Sequence, residues 1–493
     1  MRSRLLAFAG ILAILSASVG CQSPLDRGPF ADWIREDYDR SHLRERLSHR
    51  GAAHAEAERE PATRGGVEIP ENAAATDYVE LALKRNPSIR AAEQRIRRLG
   101  QRIPQVTSLD DPMFAVAPIG EMAETAAGQV GLMAGLSQRL PFPGKLETRG
   151  RIAEQMVAMA YQDLADTRLN VIADTRRAYW MHYFATQAIG VTEANRKFVQ
   201  QFRNVAAARS PAVAPTQQDV LVAAVQRSAL DNQLRTRRQR QNTAAAMMNS
   251  LLDRPVTATL PEPKLVKLDQ IAVRLDQLLA DAASTNPQIQ KVRERIEGYR
   301  QQWKLAKLNR LPDLNVGVSY SAVENEGLSA IANGDDQWWL SFGINLPIWS
   351  AKLDAGENEA FRGMMEGMAD LGNTQNRIAF RVQDAFVKVD TQQRLTILFR
   401  DVIVPQAQQT VDASLAGYRA GNLEFLTLID NWRKLLDFQL MYHRSLAQLE
   451  QEFADLQRAV GSDLRRKPDA APDAQPPKQP QAPPPGAQEQ PEN

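Results

Sequence analysis

The chain of 493 residues offers few groups able to do chemistry: one cysteine, Cys21, and five histidines, His42, His49, His54, His182 and His443. A single thiol excludes a disulfide framework, a structural zinc finger and an iron–sulfur cluster, and no two histidines stand at metal-ligand spacing. Gly135-Leu136-Ser137-Gln138-Arg139 lacks the closing glycine of a nucleophile elbow. Pro143-Gly144-Lys145 lacks the upstream glycine and the following Ser or Thr of a phosphate loop. Met364, Met365 and Met368 bring soft sulfur together, but methionine at helical spacing chiefly fills cores. No catalytic constellation is present, so no enzyme, cofactor or bound metal is expected. Sixty Lys and Arg against 58 Asp and Glu leave a formal charge of +2, which advertises no nucleic-acid surface. Only 6% of residues are aromatic. With abundant Ala, Gln, Arg and Leu, that composition leans toward long helices rather than a thick core.

Cys21 has a telling position. Arg2 and Arg4 precede an apolar stretch from Leu5 to Leu15, too short to stay as a membrane-spanning helix. The small residues Ser16 to Gly20 follow, so residues 1–20 read as a secretory signal. A cysteine directly after such a segment resembles the lipobox of bacterial lipoproteins, in which the thiol is acylated; Ser18 stands where a large aliphatic residue is usual. Acyl chains contribute about 0.8 kcal/mol per buried methylene, so a multiply acylated Cys21 would anchor the chain firmly in lipid. An ordinary secreted protein with an incidental cysteine is the competing reading.

Self-comparison organises the remainder. Tyr78 to Ile89, containing Asn86-Pro87, is echoed by Leu278 to Ile289, containing Asn286-Pro287. Arg95-Ile96 and Arg295-Ile296 keep the register, and Leu140-Pro141 is matched by Leu346-Pro347. The chain therefore divides into a signal (1–20), a polar N-terminal arm (21–75), a first repeat (76–264), a second repeat (265–466) and a tail (467–493). Proline recurs through the tail from Pro468 to Pro491, a composition that forbids a packed element.

Within each repeat, segments of period two precede the Leu-Pro stop. Val130, Leu132, Ala134, Leu136 and Leu140 share one face of Gln129–Leu140. Leu314, Val316, Val318 and Tyr320 do so in Leu314–Ala322, and Trp338, Leu340, Phe342, Ile344 and Leu346 in Gln337–Leu346. Met113–Pro118 is the fourth candidate. Each of the three longer segments suits a tilted transmembrane strand, although strands of a half-buried soluble sheet alternate in the same way. Four strands cannot curl into a closed barrel, and open sheet edges in hydrocarbon are costly, so membrane strands here require several copies.

After the stops, Gly144–Arg209 and Lys352–Gly417 read as helices of some 60 residues, near 90 Å at about 1.5 Å per residue, with Pro405 kinking the second. They pair with Gln217–Leu252 and Leu423–Gly461. In the last helix Phe425, Leu428, Trp432, Leu435, Gln439, Tyr442, Leu446, Leu449, Phe453, Leu456 and Val460 keep a heptad period, which predicts a left-handed coiled coil. Ser210 to Pro215 and Ala420-Gly421-Asn422 mark the reversals.

The Cys21 lipobox, the paired Asn-Pro and Leu-Pro sites, and Gly417 to Asn422 followed by Leu426 to Asp430 together resemble the TolC family of outer-membrane efflux proteins, over residues 76–465. The resemblance implies a mainly α protein with a small β part and a duplicated unit of long coiled-coil helices plus four transmembrane strands per chain. It implies a homotrimer closing a 12-stranded β-barrel and a periplasmic helical barrel, lipid-anchored in the outer membrane. Its partners would be a periplasmic adaptor, an inner-membrane efflux pump and outer-membrane lipid. In such proteins an acidic residue before the second tip rings the channel mouth, the place of Asp412 here, and Arg419, Gly421 and Asn422 would touch the adaptor. The first tip departs from the family by carrying prolines. The function implied is a passive export duct for drugs, metals or other small molecules. A structural periplasmic coiled-coil lipoprotein without transport activity is the alternative.

Overall fold

The computed structural model describes residues 69–119, 124–207, 217–263, 274–324, 331 and 334–464. The signal, Cys21, most of the arm, the first reversal at 210–215 and the tail lie outside the described residues. In chain order the elements are α1 (Ala75–Arg85), α2 (Pro87–Gly100), α3 (Arg102–Thr107), β1 (Met113–Pro118), β2 (Glu124–Thr125), β3 (Gly128–Leu140), α4 (Lys145–Ala207) and α5 (Gln217–Leu251). There follow α6 (Leu275–Thr285), α7 (Pro287–Leu308), β4 (Leu314–Val323), β5 (Gln337–Ile344) and α8 (Ser350–Leu398). A π-helical turn (Phe399–Ile403), α9 (Val404–Ala420) and α10 (Phe425–Val460) complete the order. Short helices, a strand pair, one very long helix and its return partner thus occur twice in the same sequence. The fold is mainly helical with one small antiparallel sheet, and the repeated elements match the duplication read from the sequence.

The Asn-Pro pairs explain how each repeat is closed. Asn86 and Asn286 each cap the following helix, their side-chain oxygens accepting from Ser88 N and Gln288 N at 2.9 Å in both cases. Pro87 and Pro287 occupy the first helical position, where a missing N–H costs nothing. The amide nitrogens then reach across the repeat. Asn86 Nδ2 donates to Leu251 O at 3.0 Å and Asn286 Nδ2 to Ala459 O at 2.8 Å, so each asparagine also satisfies a carbonyl at the end of the last helix of its own repeat. The chain leaves those helices in the left-handed region: Asp253 has φ 53° and Gly461 φ 91°. A Cβ on Gly461 would stand 2.8 Å from Asn286 Cα, so only glycine fits there.

The heptad face of α10 is buried as its period requires. Leu428, Leu449, Leu456 and Val460 are fully enclosed, and Phe425, Trp432, Leu435, Leu446 and Phe453 nearly so; Gln439 and Tyr442 are half-buried. α4 packs against α5, α7 and α10, and α8 against α7 and α10, with α9 continuing along α10. The long helices thus form a layer in the order α5, α4, α10, α8–α9. α1, α2 and α3 lie on α4, where Tyr78 and Tyr179 meet with ring centroids 5.5 Å apart. The kink expected at Pro405 takes the form of the π turn just before it, in which Val404 N–H bonds to Phe399 O. A wider turn removes the clash between the proline ring and the carbonyl four residues back.

Replacing Asn286 with Ala removes a helix cap and leaves a buried carbonyl unpaired. The cost expected is about 2–4 kcal/mol, read as a lowered denaturation midpoint. Asn286→Asp, which keeps the cap but not the donor, should recover only part of it.

Candidate channel wall and tip

The strands form one antiparallel sheet in the order β1-β3-β4-β5, with β2 beside β3. Their registers pair even residues with even residues: Phe114 with Leu136, Ala134 with Tyr320, Leu136 with Val318, Val318 with Leu340 and Tyr320 with Trp338. Side chains alternate across a strand, so Phe114, Val116, Leu132, Leu136, Val318, Tyr320, Trp338, Leu340, Phe342 and Ile344 make one continuous apolar face. That face is bare: Phe114 is 64%, Trp338 68% and Phe342 71% exposed. The opposite face carries Gly135, Ser137, Arg139, Asn315, Gly317, Ser319, Gln337, Ser341 and Gly343. Trp339 also lies on this polar face, opposite Ser319.

One residue read into the apolar row departs from it. The register shifts between Val130 and Leu132, so that Val130 pairs with Val323 rather than continuing the even series. Both valines are buried. The extra residue is Gly131, and a bulge of this kind re-aims the side chains on its far side.

Below the sheet, an ion cluster that sequence reasoning missed ties strands to helices. Asp313, ahead of β4, is buried, as is Lys145 at the start of α4. Lys145 Nζ donates to Asp313 Oδ1 at 2.7 Å and to Leu311 O at 2.7 Å. Phe142 N donates to the same Oδ1 at 2.9 Å, and Arg139 donates to Oδ2 at 2.7 Å. The backbone N–H of Asp313 donates to Asn345 Oδ1. Burial by itself would raise the Asp313 carboxyl, but the bonds from Lys145, Phe142 N–H and Arg139 outweigh it and hold the group at about 2. The only sequence signal was Gly144-Lys145, already excluded as a phosphate loop; the lysine is a structural cation.

The second reversal is described in full. Gly421 adopts φ 83°; its N–H bonds to Tyr418 O at 3.1 Å and Asn422 N–H to Gly417 O at 2.9 Å. This is the two-bond closure that a left-handed glycine permits at a helix end. Tyr418 and Phe425 brace it from within, ring centroids 5.6 Å apart, and Asn431 Nδ2 donates to Ser414 Oγ at 3.0 Å. Arg419, Gly421 and Asn422 are exposed together at the tip. Asp412 lies two turns before it on α9, exposed, accepting from Gln408 Nε2 at 3.1 Å.

Among the described residues no group of His, Cys, Asp or Glu could hold a metal ion, and no helix is long and apolar enough to cross a membrane. Met364 packs in the cluster of Val292 and Ile296.

A bare apolar strand face is thus joined to a layer of very long helices. Residues 278–462 match the family of outer membrane efflux proteins. Solved structures share the fold. The outer membrane protein VceC of Vibrio cholerae is 18% identical, with TM-score 0.65 over 79% of this chain and 96% of its own. The CmeC outer membrane channel of Campylobacter jejuni is 15% identical, with TM-score 0.66 over 78% and 85%. The open-state MtrE outer membrane channel of Neisseria gonorrhoeae is 16% identical, with TM-score 0.64 over 81% and 94%. No curated protein matches the chain in sequence. The family match thus covers the second half of the chain, and the solved channels share the fold of most of its length.

The Asp313 cluster has a pH signature. Its folded-state pKa lies below the ordinary aspartate value of about 3.9, so the cluster stabilises the fold above pH about 4. That contribution is lost as the pH falls toward 2. Asp313→Ala should cost about 3–5 kcal/mol, since Lys145 would remain buried and unpaired. Asp313→Ala/Lys145→Met should be markedly less damaging in the same denaturant titration.

Proposed function

We propose that the protein is the outer-membrane duct of a tripartite export system, a homotrimer that passively carries small molecules delivered by an inner-membrane pump through a periplasmic adaptor. The observation that carries this reading is the open-edged sheet with its bare apolar face. β1 and β5 end the sheet, and unpaired edge groups in hydrocarbon cost several kcal/mol each. Three copies, each giving β1, β3, β4 and β5, would pair these edges into a closed barrel of 12 strands. The helical layer has matching free margins. α8 exposes Phe380, Val387, Leu395 and Leu398, and α5 exposes Leu221 and Val225. Neighbouring copies would bury these residues and complete a helical barrel in the periplasm.

In this reading residues 76–264 and 265–466 are the two repeats, residues 1–20 are cleaved, and acylated Cys21 fixes the arm to outer-membrane lipid. Arg419, Gly421 and Asn422 form the adaptor contact, since a tight, exposed tip brings backbone close to a partner. Asp412 lies near enough to the tip for three copies to ring the mouth, and converging carboxylates favour cations. The protein performs no hydrolysis; its partners supply the energy. A periplasmic tether would have no use for strands whose apolar face is turned outward.

Full-length protein in mild detergent should migrate as a trimer and conduct in planar bilayers; a monomer without conductance would overturn the duct. Asp412→Ala should reduce cation selectivity severalfold in reversal-potential measurements, and an unchanged value removes Asp412 from the mouth. Cys21→Ser should abolish metabolic labelling with palmitate while leaving the trimer able to conduct once purified.

A further inference from the structure

The helical layer carries a cationic groove that nothing above uses. α5, α4 and α10 line a cavity of about 360 Å³. Its floor is apolar, from Met181, Phe184, Ala185 and Ala188 of α4. Arg237 and Arg240 rise from α5 on one side and Arg444 from α10 on the other. At 100° per residue the floor residues lie about half a turn from Tyr179, so the groove opens on the side of α4 away from the α1 contact. No carboxylate lines it; the remaining polar lining is Gln239, Thr243, Gln448 and Gln451.

Three guanidinium groups facing one space without a carboxylate is an unusual expense. Salt bridges occupy many arginines of this chain, including Arg177, Arg196 and Arg238 near by. None involves Arg237, Arg240 or Arg444 among the described residues. Arg237 Nη2 donates to Gln233 Oε1 at 3.4 Å, but its Nε is buried with no hydrogen-bond partner, and the guanidinium is held below its usual pKa by burial and by the like charges of Arg240 and Arg444, with Asp437 opposing. Arg444 lies over the Phe184 ring, 5.5 Å from its centroid, which keeps its charge at the edge of the apolar floor. Arg240 and Arg444 are exposed, so a ligand can reach them. An apolar body resting on Met181 and Phe184 and an acidic head held by the arginines would satisfy every one of these groups, and guanidinium forks suit carboxylate, sulfonate and phosphate oxygens.

We propose that this groove binds an amphipathic organic anion, and that such anions are the class of compound the duct carries. The cargo assignment rests on the export reading; the binding does not.

Calorimetric titration of full-length protein in a neutral maltoside with naphthalene-2-sulfonate tests the site, with uncharged 2-naphthalenemethanol as control. Expected is saturable binding of the sulfonate, at least tenfold tighter than the alcohol and weakened by 0.5 M salt. In Arg237→Gln/Arg240→Gln/Arg444→Gln it should weaken at least about tenfold, the scale of a charge-assisted hydrogen bond. The Arg240→Gln/Arg444→Gln protein changes exposed residues alone and should show the same direction if the triple variant misfolds. Equal affinity for sulfonate and alcohol, or no change in either variant, overturns the site. Absence of binding in the assembled protein also overturns it, and would mean that carboxylates of a second copy fill the groove. Conductance in planar bilayers, measured without the probe, reads the duct independently. A conducting protein that ignores the sulfonate keeps the duct and loses this inference. A binding protein that never conducts keeps the site and loses the cargo assignment.

Discussion

The constraint on which the structure turns is that a single chain cannot satisfy its own sheet. Its strands pair in the order β1-β3-β4-β5, which leaves a row of backbone N–H and C=O groups along the outer side of β1 and another along β5. In water such edges are an aggregation hazard; in hydrocarbon they are prohibitive. The even-numbered face is also too apolar to leave in water, with Phe342 and Trp338 more than two-thirds exposed. Both deficits would be met at once in the proposed trimer, where edges of identical chains meet inside a membrane. The backbone demands a partner of the same geometry, and the side chains demand an apolar medium on one side and water on the other.

The strands are fixed to the helices by the Asp313 cluster. Arg139 comes from the end of β3, Lys145 from the start of α4, Asp313 from the start of β4, and Asn345 follows β5. Through its carboxylate and its backbone N–H, Asp313 therefore gathers β3, β4, β5 and the first long helix. Lys145 is almost without exposure, 3%, so the pair is a requirement of the fold rather than a surface ornament. A buried ion pair is a poor source of net stability, but it penalises every arrangement that separates its partners. That penalty suits a junction where a sheet gives way to a helical layer and the register of both must agree.

Local patterns made most of this legible in advance. Alternation placed the three longer strands to within two residues because an apolar face leaves a clear period, and the repeat placed β1. The heptads of α10 and the Asn-Pro helix starts were legible for the same reason. What stayed hidden depends on residues distant in sequence. Lys145 and Asp313 are 168 positions apart, and neither belongs to a periodic pattern. The bulge beside Gly131 shows only when β3 is laid against β4. Pro405 announced a disturbance, but whether a helix bends, breaks or widens into a π turn is decided by how α9 must continue along α10. The three arginines of the groove come from helices separated by about 200 positions, and their lack of acidic partners is a property of the assembled layer.

The two repeats also divide what duplication kept from what it released. Both retain an asparagine that caps one helix and holds the last turn of another, so each repeat closes on itself before it meets its copy. Around that shared device the solutions differ. Where the second repeat turns its final helix with Gly461 pressed against Asn286, the first uses Asp253, whose positive φ accompanies an ion pair with Arg90 at 2.8 Å. A left-handed position tolerates aspartate at modest cost when its side chain is held, so the same backbone path survives two different chemistries. Closure by asparagine is thus common to both halves, while the π turn before Pro405 and the tip closed by Gly421 are features of the second.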